Sequence, residues 1–455
     1  MSDSTPETPR PSETAAPGSS DPGSSDPGTV KVALLGAGNV GAEVARILID
    51  HGGELAARVG APIELIGIAV RDVAARRTVE LPAALLTTDA DALIDAADVV
   101  IELTGGIEPA RSRILRALHA GKPVISGNKA LIARHGRQLQ DAADAAGVPL
   151  SYEAAVAGAI PIVRPMRDSL AGDRVDRVLG IMNGTTNYIL DQMDTTGAQF
   201  EDALAEAQRL GYAEADPTAD VEGHDAAAKA AILASLAFHS TFTIDDVYCR
   251  GITGVTAADV AAARDTGYVI KLLAVCERYA DGVNLRVTPT MIPREHPLAG
   301  VHGAYNAVFV EAENAGSLMF YGAGAGGAAT ASAVLGDFVS AARRLVLGGP
   351  AQVAEPHAQL PALPMDEVRT SFSITLVVHD RLGVLARIAQ VFADHGVSIY
   401  TMQQKDHPRG APRLSELRLV THRGANKDLM ATVEALAELA DVEEVTGVIR
   451  VEHAD

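Results

Sequence analysis

Between Leu210 and Lys229 the chain reads Leu-Gly-Tyr-Ala-Glu-Ala-Asp-Pro-Thr-Ala-Asp-Val-Glu-Gly-His-Asp-Ala-Ala-Ala-Lys, a carboxylate-rich loop entering a long helix. Acids set so close together repel unless something cationic sits among them. Asp225 and Lys229 are spaced i,i+4 and share one helical face. A lysine beside a carboxylate on a partly buried face can give or take a proton. The same spacing describes an ordinary helix ion pair, and spacing alone favours that plainer reading. The reduction of a carbonyl by hydride needs an acid to protonate the developing alkoxide and groups that fix the substrate. Lysine suits the first task. Carboxylates such as Glu214 and Asp225 suit the second if the substrate carries an ammonium group, which points to amino-acid chemistry.

A hydride donor has its own signature. Gly36-Ala37-Gly38-Asn39-Val40-Gly41 is a G-x-G-x-x-G that follows an apolar strand, Val30 to Leu35, and opens a helical pattern. Gly36 would make the tight turn, Gly38 would admit a pyrophosphate to the backbone, and Gly41 would let helix and strand pack closely. After the second strand, where NAD-preferring sites usually carry an acid, stand Arg71 and then Asp72. Arg71, assisted by Arg76 or Arg77, would pair with a 2'-phosphate, so NADP(H) is preferred, while Asp72 keeps NAD(H) open. These arginines also fit a solvated loop. Tyr321 to Gly327 is a second glycine-rich loop that could cover the cofactor or serve as a hinge. Lys129, after Ser126-Gly127-Asn128, lies at the carboxyl end of a sheet strand, where ligands of open α/β folds bind, or else simply starts a helix. Glu153 to Pro161 is apolar and tight, with carbonyls that could face inward, or it is a packed turn between domains.

The elements that position these residues fall into three domains. A chain of 455 residues suits that number at about 150 each, and 47% apolar content fills several cores, which excludes a mainly disordered protein. Residues 1–28 form a Ser/Pro/Gly tail with little to bury. From residue 29 to 152 the order of strands and helices predicts a doubly wound Rossmann-type parallel sheet. Residues 153–321 read as an α+β catalytic and dimerisation domain, with residues 322–348 returning to the first. The Gly/Pro-rich stretch 349–370 reads as a linker. Residues 371–455 carry a βαββαβ order.

The balance of 38 Lys+Arg against 58 Asp+Glu gives −20, which repels nucleic acid and anionic membrane. Cys249 and Cys276 are the only cysteines, too few for a disulfide framework or a thiolate zinc site, and they fit a reducing cytoplasm. No run reaches the ~18 apolar residues of a membrane span, and no secretory leader is evident. A cytoplasmic protein is expected, neither secreted nor anchored.

Several motifs in one order resemble the homoserine dehydrogenases, in the monofunctional form with a C-terminal ACT domain: Gly36 to Gly41, Leu103-Thr104-Gly105-Gly106, Asn128-Lys129-Ala130, Glu153 to Pro161, Asn183 to Ile189, Leu210 to Lys229 and Tyr321 to Gly327. The resemblance covers roughly residues 29 to 450 and reverses the ion-pair reading of Lys229. It implies NAD(P)-dependent interconversion of L-homoserine and L-aspartate 4-semialdehyde, toward threonine, isoleucine and methionine. It implies Lys229 as proton donor and Glu214 and Asp225 as substrate-binding residues, with Asp225 also orienting Lys229. The expected cofactor set is Gly36, Gly38, Asn39, Val40, Gly41, Arg71, Thr104, Lys129, Gly211 and Gly327. A structural sodium ion is implied at the backbone carbonyls of Glu153, Val156, Gly158 and Ile160, a hard cation on oxygen ligands.

Asp380-Arg381-Leu382-Gly383-Val384-Leu385 is similar to an ACT ligand loop, which implies pairing across subunits in a homo-oligomer, dimer or tetramer, and allosteric inhibition by L-threonine. A purely structural pairing domain is the other reading. Two rivals are weaker. A non-catalytic sensor of nucleotide and amino acid leaves the Leu210 to Lys229 motif without a purpose. A phosphorylating semialdehyde dehydrogenase needs an activated cysteine, and neither cysteine lies in a motif with a base.

Overall fold

The computed structural model describes residues 28–349, 356–406 and 414–452. The expected tail, apart from Gly28, and the start of the expected linker lie outside the described residues.

The chain opens with Val30–Leu35, in which every residue except Lys31 is buried. Such near-continuous apolar runs belong to parallel strands covered on both faces. Five more strands join it in the order Leu86–Thr87, Ile63–Ala69, Val30–Leu35, Val99–Glu102, Val124–Ser126 and Leu150–Ser151. All pairs are parallel, and the order reverses between the first and fourth strands in sequence. That reversal opens a crevice at the carboxyl ends, where doubly wound folds bind dinucleotides. Helix Asn39–Asp50 covers one face. Helix Gly327–Leu347 lies beside it, and its Ala331, Val334, Leu335 and Phe338, at i, i+3, i+4 and i+7, complete the core under Val30, Val32 and Leu34.

The rest of the chain is built on one mixed sheet. Its catalytic half runs Gly316–Ala323, Tyr305–Ala312, Val175–Ile181, Tyr268–Tyr279 and Gly282–Pro293. The C-terminal half continues with Val442–Val451, Arg369–His379, Leu414–Thr421 and Ile399–Asp406, covered by helices Val384–Asp394 and Asn426–Ala437 in the expected βαββαβ order. The two halves join through parallel pairing of Thr290 with Arg450 and Met291 with Val451. Helix His224–Ala237 is buried on nearly every side, because alanine makes up half of it and lets it approach the strands closely. Asp225 and Lys229 therefore sit inside the protein.

Three features depart from the sequence reading. The long strand Gly282–Pro293 was not expected, because Pro289 and Pro293 argue against a central strand. Pro289 lies in the gap between the short pairing of Arg286–Val287 with Tyr248–Cys249 and the later pairing with Arg450–Val451. Helix Gly184–Thr196 was not recognised either; Asn183 caps it by accepting from the Thr186 N–H at 2.9 Å. The described part of the 349–370 stretch is docked. Pro361 O accepts from Val283 N at 2.9 Å, and Leu363 N donates to Val283 O at 2.8 Å. Proline composition indicated a spacer, but an extended segment still offers carbonyls and every second N–H to a strand edge.

Candidate active site between the dinucleotide fold and the catalytic sheet

Lys229 is 7% exposed. Its ammonium donates to Asp225 Oδ2 at 2.7 Å and to the backbone oxygen of Met182 at 2.7 Å. An ammonium has three N–H groups, so among the described residues one remains for a further acceptor. Asp225 Oδ2 also accepts from Asn183 Nδ2 at 3.0 Å, and the same amide donates to Asp220 Oδ1 at 2.7 Å. Lys129 reaches across from the dinucleotide fold to ion-pair with Asp225 Oδ1. Burial would push the Asp225 carboxyl up, but the ammoniums of Lys229 and Lys129 outweigh it and hold the group well below the usual carboxylate range. Asp225 thus stays ionised and fixes both lysines.

Asp225 and Lys129 line a cleft of about 340 Å3 with Glu214, Asp216, Asp220 and His224. Lys229 lies one helical turn behind Asp225. Glu214 is exposed on the cleft wall, and its backbone oxygen accepts from Gln208 Nε2 at 3.1 Å. Four carboxylates, Glu214, Asp216, Asp220 and Asp225, against the two cations Lys129 and Arg134 favour a ligand with an ammonium group. Asn183 was within a motif of the resemblance but not among the expected site residues. Its helix-capping position was the available signal.

The three glycines of the first turn differ in what a side chain would meet. At Gly36, where φ is +98°, a Cβ would stand 2.7 Å from Leu103 O; at Gly41 it would stand 2.1 Å from Gly36 O. At Gly38 it would meet nothing within 4 Å. Space is left at the position where the backbone must admit a phosphate, and the helix containing Asn39 and Val40 begins there with free N–H groups. The second glycine-rich loop ends against this turn, since a Cβ on Gly327 would stand 2.7 Å from Asn39 O. Two helices therefore start side by side.

Thr104 follows the fourth strand, and both its N–H and its hydroxyl donate to Glu102 Oε1, at 2.7 and 2.5 Å. The other oxygen of Glu102 accepts from Ser126 Oγ at 3.0 Å, and Ser126 Oγ accepts from Asn128 N at 3.1 Å. Glu102, fully buried, therefore ties together the carboxyl ends of two neighbouring strands just before Thr104 and Lys129. An acid ending an apolar strand was the overlooked sign. Arg71 is exposed at the end of the second strand. Arg77 instead shapes that loop, donating to the backbone oxygens of Asp72, Val73 and Ala75. Gly211 makes a left-handed turn, φ +78°, after helix Phe200–Arg209.

In the 153–160 loop Glu153, Val156 and Ile160 are buried. The Glu153 carboxylate is turned to its own chain, accepting from the N–H groups of Ile162, Val163 and Arg164 at 2.6, 2.7 and 2.9 Å. Gly158, φ +61°, packs on the second glycine loop so closely that a Cβ would stand 2.5 Å from Gly324 O. Among the described residues no group of three His, Cys, Asp or Glu side chains could hold a metal ion. Nor is any described helix long and apolar enough to cross a membrane.

A six-stranded parallel sheet with an open glycine turn, joined through Lys129 to a buried lysine–carboxylate pair, defines a nicotinamide-dependent oxidoreductase. Residues 36–153 match the NAD binding domain of homoserine dehydrogenase, residues 161–339 match homoserine dehydrogenase itself, and residues 372–441 match the ACT domain. The chain is 54% identical over 430 residues to homoserine dehydrogenase of Corynebacterium glutamicum, covering 93% of this chain and 96% of that one. It is 53% identical over 432 residues to that of Mycobacterium tuberculosis, with 93% and 98% covered. The crystal structure of a homoserine dehydrogenase from Thiobacillus denitrificans superposes with a TM-score of 0.86 at 39% identity, over 93% of this chain and 98% of that one. The chain belongs to the homoserine dehydrogenase family. It is an NAD(P)-dependent oxidoreductase acting on a CH–OH group.

Proposed function

We propose that the protein interconverts L-aspartate 4-semialdehyde and L-homoserine, on the branch toward threonine, isoleucine and methionine, and that Lys229 moves the proton. The observation that carries this reading is the buried Lys229 ammonium, held by Asp225 and Met182 O with one N–H uncommitted among the described residues. In reduction, Lys229 donates this proton to the aldehyde oxygen as it becomes an alkoxide, and in oxidation it takes the proton back. Asp225 orients Lys229, and Glu214 with Asp225 draws the substrate's ammonium into the cleft. Lys129 neutralises Asp225 from the dinucleotide side, so closure of the two domains assembles the site. Bound nicotinamide supplies or accepts the hydride.

NADP(H) is the preferred cofactor in this reading. Arg71 is exposed where a 2'-phosphate would lie, and Arg77 is occupied with its own loop. The cofactor is cradled by Gly36, Gly38, Asn39, Val40, Gly41 and Gly327, with Thr104, Lys129 and Gly211 contributing. A sodium ion fits the 153–160 loop through the carbonyls of Glu153, Val156, Gly158 and Ile160. The loop is largely buried, its one carboxylate is spent on the N–H groups of residues 162–164 and on the Arg164 guanidinium, and the remaining oxygens are main-chain carbonyls, of which Glu153 O and Val156 O each also accept one backbone N–H; carbonyl oxygens suit a hard monovalent cation. The ACT domain serves threonine inhibition and homo-oligomer formation; the exposed Tyr400 and Met402 on its edge strand are suited to pairing.

The test is an initial-rate assay of the purified chain with aspartate semialdehyde and NADPH or NADH, and with homoserine and the oxidised forms. Turnover in both directions with higher kcat/KM for NADPH is expected. No turnover of either substrate would refute the reading.

A further inference from the structure

One buried amide stands where the catalytic sheet, the start of the active-site helices and the second glycine-rich loop meet. Asn306, in strand Tyr305–Ala312, is 1% exposed, and neither its Oδ1 nor its Nδ2 has a hydrogen-bond partner among the described residues. A primary amide brings two N–H groups and two acceptor sites. Leaving all of them empty away from water is unfavourable, and folded proteins rarely keep such a group without a use for it.

The catalytic lysine is on one side of this amide. The next residue, Ala307, pairs with Ile181, one residue before Met182, whose oxygen accepts from Lys229. A Cβ on Gly184, in the turn capped by Asn183, would stand 3.4 Å from Asn306 Oδ1. On the other side Asn306 pairs with Gly322 in strand Gly316–Ala323, where the second glycine-rich loop begins. That loop crosses the amide at Gly324, where a Cβ would stand 2.1 Å from Nδ2 and 2.4 Å from Oδ1. An apolar CH2 thus faces an amide that is complementary to an N–H and an oxygen.

The loop has uncommitted groups of its own. Ala323 O accepts from Ala159 N at 3.0 Å, and Gly326 O accepts from Thr330 N at 2.9 Å. Between these two fixed points the main-chain N–H groups and oxygens of Gly324 and Ala325 bond to nothing among the described residues. Glycine at 322, 324, 326 and 327 leaves the backbone free to turn. Gly327, one residue further, packs on Asn39 of the first glycine turn. The unpaired amide and the unpaired loop therefore lie in contact without pairing. Ordering a glycine-rich segment is unfavourable, so pairing requires a ligand that favours the closed loop over the open one. A dinucleotide on the first glycine turn is in place to do this.

We propose that Asn306 is a positioning residue for the cofactor: with the dinucleotide bound, the main chain of residues 324–326 turns to pair with the Asn306 amide and holds the second glycine-rich loop closed beside Asn39. Asn306 acts through the loop, not on the hydride or the proton. The proposal rests on the dinucleotide reading of the first glycine turn, and it is tested without turnover.

Asn306→Leu keeps the number of side-chain heavy atoms and removes the hydrogen-bonding groups. Fluorescence titration of the full chain with NADPH and NADH is expected to give a Kd about tenfold higher or more in this variant, for whichever dinucleotide the wild type binds. The urea midpoint of the cofactor-free variant should equal or exceed that of the wild type, because the lost amide was unpaired. An amide with a merely structural role gives the reverse, a lowered cofactor-free midpoint with an unchanged Kd, and that result overturns the proposal. Hydrogen exchange of the wild type needs no variant to fold. Saturating dinucleotide should slow exchange of residues 323–326 by about tenfold or more, and the slowing should be lost in Asn306→Leu while residues 38–41 stay protected. No slowing in the wild type overturns the proposal. A wild type that binds neither dinucleotide refutes the cofactor site itself, whereas equal binding by wild type and variant refutes the role of Asn306 alone.

Discussion

The Asp225 carboxylate and the Lys229 ammonium stand 2.7 Å apart on successive turns of one buried helix, with side chains 6% and 9% exposed. On a solvated helix this pair would contribute a few tenths of a kcal/mol, about 0.3 to 0.5. Inside the protein, with Lys129 on the other oxygen, it is a fixed array in which one carboxylate serves two cations.

Asp225→Asn keeps the shape and removes the charge. Two ammoniums then lose the shared anion that orients them, and kcat for reduction is expected to fall by roughly 10²-fold or more. Rates of the variant and wild type, with circular dichroism on the same samples, check this, and a folded variant with unchanged kcat would contradict it.

Gly38→Ala and Gly41→Ala separate binding from folding. Gly38 has φ −73°, open to any residue, and free space around its Cβ position, so its variant should fold normally while cofactor affinity falls about tenfold or more. Gly41→Ala drives a methyl into Gly36 O and should cost about 1 to 3 kcal/mol of stability. NADPH fluorescence titration and urea unfolding of both variants distinguish the two effects.

A buried charge cluster couples the catalytic sheet to the ACT end. Arg286, 1% exposed, donates to Glu277 at 3.1 Å and to Glu452 at 3.0 Å, Arg177 ion-pairs with Glu452, and Arg423 reaches Glu277 at 2.8 Å. Burial opposes ionisation of Glu277, but Arg286, Arg177 and Arg423 prevail and hold it at about 2. An unfolded glutamate titrates near 4.3, so the stability this group contributes is complete above about pH 4.3 and is lost as pH falls through about 2. Glu277→Gln should be less stable at neutral pH and lose stability less steeply over that acid window. Urea midpoints collected along the window show whether it does.

Arg286→Met leaves Glu277 and Glu452 short of their shared cation in a buried setting. The expected loss is about 3 to 5 kcal/mol, read as a lowered urea midpoint. A change under about 1 kcal/mol would mean that the cluster is better hydrated than its burial implies.

Thiol chemistry is not expected to matter. Burial pushes Cys249 up to about 11 and Cys276 up to about 12, so neither forms thiolate at neutral pH. Activity should survive iodoacetamide treatment. Complete loss on alkylation would favour a mechanism with a cysteine nucleophile.

What the sequence disclosed was local. The first glycine turn was legible because strand, turn and helix are adjacent, and its glycines act locally: Gly36 and Gly41 press on backbone atoms and Gly38 leaves open space. The Asp225–Lys229 spacing was legible for the same reason, although only the motif around it separated catalysis from an ordinary ion pair. Lys129 meeting Asp225 was not readable, because that contact depends on two domains docking across 96 residues of chain. Glu102 and Asn183 were passed over: a buried acid or amide declares itself only when its partners are assembled around it. The strand Gly282–Pro293 was hidden by prolines whose missing N–H groups matter only once the neighbouring strands are known. Joining of the ACT unit to the catalytic sheet through Arg450 and Val451 is likewise a tertiary fact.

The central claim concerns one proton. The most direct measurement is the steady-state rate of aspartate semialdehyde reduction by Lys229→Ala beside the wild type, with NADPH affinity and circular dichroism recorded on the same samples. The account predicts unchanged affinity and spectrum with kcat lowered roughly 10²- to 10⁴-fold. A folded, cofactor-binding variant that turns over within a few-fold of the wild type would contradict it.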